Sequence, residues 1–303
     1  LVRARIKRQA GGVLLAVVGA VLVVALAVFA KTILQDVQRG LSKQRAIAMT
    51  LGASDSKIDK ALANFVAQNR RLPCPADGTV ASGTLNAGVE KPFPPTGSCN
   101  PVNQANGVVP WVTLGISEGD AADPWNGRIT YRVQPELASN PAKLMDMSWC
   151  DPAGTPTGAS GPALACTPGC AGATCMNPLN FLYAKGLQVQ DGAGGWLNQP
   201  APAWLGAPAP PPPNSSGAAY VLISHGPTGA GAYNKAGILQ SGSVIAGTNE
   251  ISNRNKQALT GATIFIDTAQ NSAANAAHFD DYLSHPTIAT VLGYAGLGAR
   301  TPH

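Results

Sequence analysis

The most reactive side chains in this sequence are six cysteines: Cys74, Cys99, Cys150, Cys166, Cys170 and Cys175. An even number in turn-rich sequence suits disulfides of an oxidising compartment, each worth roughly 2–4 kcal/mol. Six cysteines admit 15 pairings, and spacing alone does not choose among them. Cys166-x3-Cys170-x4-Cys175 is compact enough to consider zinc. It lacks a flanking histidine and paired C-x2-C knuckles, so no metal is assigned to it.

Acid–base groups are sparser. Glu118, Asp120 and Asp123 lie close in sequence, as the paired carboxylates of a glycoside hydrolase would, with Trp111 and Trp125 nearby as candidate sugar platforms. Asp123-Pro124 is equally a turn start, in which the carboxylate accepts backbone N–H groups, and that reading is preferred. His225 falls at the end of an expected strand and precedes Gly226, a position that catalytic side chains often occupy. Its neighbour Ser224 faces the other side of the strand and is poorly placed for activation by it. His278 with Asp280 or Asp281, or His285, would extend a triad, but no G-x-S-x-G elbow names a nucleophile. The chain has no H-E-x-x-H, phosphate-cradling glycine loop or G-x-G-x-x-G. Asp280 and Asp281 are a candidate cation pair, with hydrogen bonding of a C-terminal turn as the plainer role. Asn214-Ser215-Ser216 matches a glycosylation sequon only formally. No catalytic residue, cofactor or metal is assigned, and the chain is not expected to be an enzyme.

The elements that carry these residues differ sharply in composition. Residues 1–12 hold Arg3, Arg5, Lys7 and Arg8 and no acid, and Val13–Ala30 is an uncharged apolar run. Eighteen helical residues span about 27 Å, near the thickness of a bilayer core. A cleaved signal peptide and a buried helix are the competing readings. The run passes into helix-forming sequence rather than a loop, which favours a retained anchor. The basic flank places the N-terminus in the cytoplasm and the remainder outside it. The formal charge is +5. Without the leader cations the exported part is nearly neutral, so nucleic acid is not an expected partner.

Beyond the apolar run, residues 31–70 are expected to continue as helix to about Asn69, kinked or broken near 52–55, with Ser54 or Asp55 as a cap. Ile58, Leu62, Phe65 and Val66 form its apolar face. Residues 71–303 read as a head of loops and strands, the strands at 128–133, 219–224 and 263–266, with a short one at 181–183. Cys74 and Cys99 are placed to clamp the loop after the helix. The segment 140–213 reads as a loop-rich insert ending in proline-rich sequence at 200–213. The class expected is α+β: a long N-terminal helix, transmembrane in its first half, packed on an antiparallel sheet.

Together these features resemble the type IV pilin and type II secretion pseudopilin superfamily. The short basic leader KRQAGG leads directly into VLLAVVGAVLVVALAVFA, ALANFVAQNRRLPCPADG follows the helix, and GVVPWVTLGISEGDAADPWNGRITYRV resembles the tryptophan turn and strand of pseudopilins. YVLISHGPTGAGAY and HFDDYL match more weakly. The resemblance implies cleavage by a prepilin peptidase after Gly11 or Gly12, leaving Gly12 or Val13 as a methylated N-terminus. It implies a bacterial inner-membrane protein with a periplasmic head. Its partners would be the lipid bilayer, other pilin-like subunits and an inner-membrane assembly platform. Close helix packing would use the small residues Gly19, Ala20, Ala25 and Ala27. Two family features are missing: the fifth mature residue is Ala16 or Val17 instead of glutamate, and the turn SHGPTGAGAY has no carboxylate for calcium. The first departure favours a minor or tip-type subunit of a pilus or secretion filament. The alternative class is a membrane-tethered periplasmic enzyme or carbohydrate-binding protein.

Overall fold

The computed structural model describes residues 2–51, 56–91, 99, 104–138, 145–152, 166, 175, 177–182, 185–199, 217–241, 247–254, 259 and 263–300. In the first helix the described side chains are 18–19, 21–26, 28–38, 40–43, 46–47 and 51. The chain divides into two units, Leu1–Ala46 and Ile47–His303, the second of which is called the head below.

The first helix, α1, runs from Val2 to Leu51 and so takes in residues 2–12 of the basic leader as well as the apolar run. Its last turns supply Ile47 and Leu51 to the core of the head. The next helix, α2 (Lys57–Asn69), is a separate element because Ser56 is extended (φ −60°, ψ 132°) and its hydroxyl accepts the Asp59 N–H. The cap is thus Ser56, whereas Ser54 and Asp55 lie outside the described residues. Ile58, Leu62 and Val66, spaced by four, are fully buried, as a one-faced helix requires. Arg70 ends α2 in a left-handed conformation and donates its N–H to the Val66 carbonyl (2.8 Å). Pro73 and Pro75 keep the following chain extended.

The strands are β1 (Ala76–Asp77), β2 (Gly107–Val108), β3 (Thr130–Val133), β4 (Gln188–Gln190), β5 (Trp196–Asn198), β6 (Tyr220–Ser224), β7 (Ile264–Ile266) and β8 (Tyr282–Ser284). The five-stranded sheet β1-β2-β3-β6-β8 is antiparallel throughout. In the smaller sheet, β5-β4-β7, β4 runs parallel to β7 and antiparallel to β5. Two of its strands therefore come from the segment 140–213. The short strand expected at 181–183 is not found at Phe181, which instead ends the helical turn α3 (Pro178–Phe181). Proline at its first position is preset for helix and needs no N–H partner there. Two further short helices, α4 (Thr248–Asn253) and α5 (Ile288–Tyr294), follow β6 and β8.

β3 and β6 are buried along their whole length because both faces are covered. Tyr131, Val133, Tyr220 and Leu222 join Ile58, Leu62 and Val66 in one core. The alternate residues Val221 and Ile223 pack with Val189 and Phe265 of the smaller sheet in a second core. The fold is α+β, with the strand period of two dividing β6 between two cores.

Candidate functional site

Most of the residues singled out for chemistry are bound up in local structure. Asp123 accepts N–H groups from Trp125 (3.0 Å) and Gly127 (2.7 Å) and the Ser224 hydroxyl (2.8 Å), so it organises the D-P-W-N-G turn. Burial raises its pKa, with these hydrogen bonds opposing the shift. Glu118 pairs with Arg128 (3.0 Å), and Asp120 pairs with Lys57 (2.7 Å). The three acids are therefore divided among different partners. Trp111 is buried beneath the Arg128 guanidinium, 5.0 Å from its ring centroid, and Trp125 stacks on Tyr282. Trp111 is therefore no open sugar platform, and Trp125 has one face taken up by Tyr282.

His225 does have the connections of a triad, though with a different hydroxyl from its neighbour Ser224. Its Nε2 lies 2.8 Å from Thr130 Oγ1 and its Nδ1 3.2 Å from Asp281 Oδ1. Asn253 completes the chain by donating from Nδ2 to Asp281 Oδ2 (3.0 Å) and to the Ile266 carbonyl (2.8 Å). Thr130 and His225 have no exposed surface, so no substrate atom reaches them in this conformation. The network ties β3, β6, β7, α4 and the chain leading into β8 together. His285 is separate: it bridges Asn198 and Asp267.

A second cluster, Glu250, His278 and Asp280, lies next to this network. Each offers one ligand atom, and the three atoms lie within 4.8 Å of one another. His278 Nε2 is 4.0 Å from Glu250 Oε2 and 3.9 Å from Asp280 Oδ2, and this nitrogen is buried without a hydrogen-bond partner. Both carboxylates also accept hydrogen bonds. Thr228 donates its N–H to Asp280 Oδ2 (2.8 Å) and its hydroxyl toward Asp280 Oδ1 (3.0 Å) and Glu250 Oε1 (3.3 Å). Gly247 N–H donates to Glu250 Oε2 (3.4 Å). Burial, followed by the neighbouring Asp281 and Asp280, raises the Glu250 pKa. Asp280 is raised chiefly by burial, against the Thr228 hydrogen bonds that lower it.

Two glycines make this close approach possible. A Cβ on Gly247 would lie 1.8 Å from the His278 carbonyl oxygen, and one on Gly226 (φ +54°) 2.2 Å from that of Asp280. The sequence had marked His278, Asp280 and Asp281 but missed Glu250, Thr130 and Asn253. The available signal for Glu250 was its place three residues after Gly247, where a helix-start carboxylate reaches back to a free N–H.

Set against known proteins, the chain matches no family model, no curated protein and no solved structure. The remaining candidate surface is α1 itself. Among the described residues, Val21–Lys43 is long and apolar enough to cross a membrane, with mean hydropathy 1.7 and none of its best window buried. A signal sequence passes the same test. Val21, Leu22, Val23, Val24, Leu26, Val28 and Phe29 are each more than half exposed.

Gly11, Gly12 and Val13 have helical backbone within α1, and the Val13 side chain lies outside the described residues. Gly19 opens onto empty space and Ala25 is exposed, while the side chains of Ala20 and Ala27 lie outside the described residues. Among the cysteines, Cys74 pairs with Cys99 and Cys150 with Cys166, at Cα separations of 5.6 and 4.8 Å. Cys175 is also disulfide-bonded, and Cys170 lies outside the described residues. Pairing of Cys166 with Cys150 removes it from the zinc cluster considered above.

Proposed function

We propose that this chain is a membrane-anchored structural subunit of a pilin-like filament, assembled through its N-terminal helix and carrying an exported, disulfide-bonded head. The observation that supports the reading best is the exposed apolar surface of Val21–Lys43 on a helix whose final turns, at Ile47 and Leu51, belong to the core of the head. In water such a surface is unfavourable by roughly 25 cal/mol per Å² of apolar area. It is relieved by lipid, or by similar helices packed side by side. A helix able to exchange one environment for the other is the working part of a pilin-type subunit.

On this reading a prepilin peptidase cuts after Gly11 or Gly12, removing the leader cations, and an inner-membrane platform moves the helix from bilayer to filament. The head stays on the periplasmic side, in keeping with Cys74–Cys99 and Cys150–Cys166. The uncharged fifth position, Ala16 or Val17, fits a minor or tip-type subunit. Other pilin-like subunits and the lipid bilayer are the partners.

Intact-mass spectrometry of the protein extracted from membranes tests the proposal. The expected product begins at Gly12 or Val13. A membrane-extracted protein that retains Val2–Gly11 would overturn it and favour a tethered periplasmic enzyme or binding protein.

A further inference from the structure

We propose that Glu250, His278 and Asp280 form a binding site for one divalent cation of the zinc type, held in the head independently of how α1 is used. The geometry carries the proposal. Three potential ligand atoms from two segments of the chain lie within 4.8 Å of one another, and His278 Nε2 is buried yet 3.9–4.0 Å from both carboxylates. Those separations are too long for hydrogen bonds. A buried imidazole nitrogen with nothing to bond is unfavourable, and a cation between the three atoms satisfies it. An atom at the centre of such a triangle lies about 2.5 Å or less from each corner. Zinc bonds of about 2.0–2.2 Å then require the side chains to close by a few tenths of an ångström.

Charge favours the same conclusion. Glu250, Asp280 and the adjacent Asp281 are buried, and among the described residues none has a lysine or arginine partner. His225 accompanies Asp281, which leaves Glu250 and Asp280 to balance a doubly charged ion. One imidazole with two carboxylates is a borderline donor set, which suits zinc better than the all-oxygen coordination that calcium takes. Support behind the ligands is built in. Thr228 donates to both carboxylates, Gly247 N–H donates to Glu250, and the lack of a Cβ at Gly247 and Gly226 leaves room for the carbonyls of His278 and Asp280. Outer partners of this kind set the orientation of ligands in metal sites. His278 and Asp280, whose side chains are 13% and 9% exposed, border the surface and provide the way in.

The test uses the full chain in detergent, stripped of metal by a chelator and dialysed. Zinc is then titrated by calorimetry, with cobalt(II) absorption reporting the ligand field. The expected result is one equivalent bound, with Tm raised by roughly 5 °C at a hundred-fold excess over Kd. E250Q and H278A should each weaken binding at least about ten-fold, whereas H285A should leave it unchanged. Should H278A fail to fold, the near-isosteric D280N takes its place, with circular dichroism verifying its fold and binding again expected to fall. Absence of saturable one-equivalent binding to the folded wild-type chain would overturn the site. So would binding that survives in folded E250Q or D280N.

Discussion

The N-terminal unit and the head solve opposite problems. Between Val18 and Leu41, α1 leaves large aliphatic side chains about half exposed or more, and its described residues contribute to a core only at Ile47 and Leu51. The head does the reverse and buries charge. Arg71, Glu90, Arg128, Arg132, Asp59 and Asp123 are all at least nine-tenths buried. Helical structure is common to both regions, since α2 in the head is as regular as α1. What differs is the surroundings of each surface: the head supplies internal partners for most of its buried polar groups, whereas the large apolar side chains described between Val18 and Leu41 of α1 are exposed.

Removing one partner of a buried ion pair should produce the largest effect. Arg71 and Glu90 make a two-pronged contact at 2.8 and 2.9 Å, Glu90 also accepts the Cys74 N–H at 2.9 Å, and both side chains are only 6% exposed. Arg71→Ala strands the Glu90 carboxylate in the core. The head should lose about 3–5 kcal/mol, read from urea unfolding, while membrane association is unchanged. A loss below about 1 kcal/mol would show that water reaches Glu90 and that the head is less closed than its contacts imply.

Next come two truncations that separate α2 from α1. Leu62→Ala opens a cavity behind a fully buried side chain and should cost the head about 3 kcal/mol. Leu34→Ala, on the exposed part of α1, should leave the unfolding midpoint of the head unchanged. Equal losses from both would abolish the distinction between the two helices.

Leu26→Asp tests the environment of α1 directly. A carboxylate near the middle of a spanning helix disfavours insertion by about 3 kcal/mol. The variant should leave the carbonate-resistant membrane fraction while its head unfolds at the same urea concentration. Wild-type membrane retention would remove the argument that α1 is solvated by lipid.

The sequence made these contrasts only partly visible. The Ile58–Leu62–Val66 stripe was readable because it repeats long enough to show a period, and 130–133, 220–224 and 264–266 because they are rich in β-branched or aromatic residues. β1 and β2 have two residues each and β5 and β8 three, too few to display alternation, and they exist because longer neighbours offer them a ladder. Ser54, Asp55 and Ser56 all have capping side chains, so local sequence alone does not single out Ser56, whose hydroxyl accepts the Asp59 N–H. The polar clusters were hardest to read. Arg71 meets Glu90, Thr130 meets His225, and Glu250 meets His278 through chain crossings that no local spacing records.

The smallest expected effect concerns a charge that the head tolerates rather than uses. Asp59, in the first turn of α2, accepts the Tyr220 hydroxyl at 2.5 Å. Burial raises its pKa above the ordinary aspartate value, and the hydrogen bonds from Tyr220 and Ser56 only partly oppose this. The folded state therefore holds the proton more tightly than the unfolded chain does. Below the unfolded value both states are protonated and Asp59 imposes no penalty. As pH rises through that value toward the raised folded one, the unfolded chain releases its proton first, and the folded state loses relative stability. The substitution Asp59→Asn would keep an oxygen for Tyr220 in a side chain unable to ionise. Urea midpoints of wild type and this variant, compared from about pH 4 to about pH 7, should show the wild type losing ground to the variant as pH increases. Were the wild type to gain instead, the Tyr220 hydrogen bond would outweigh burial, and Asp59 would belong with the charges that the head is built to hold ionised.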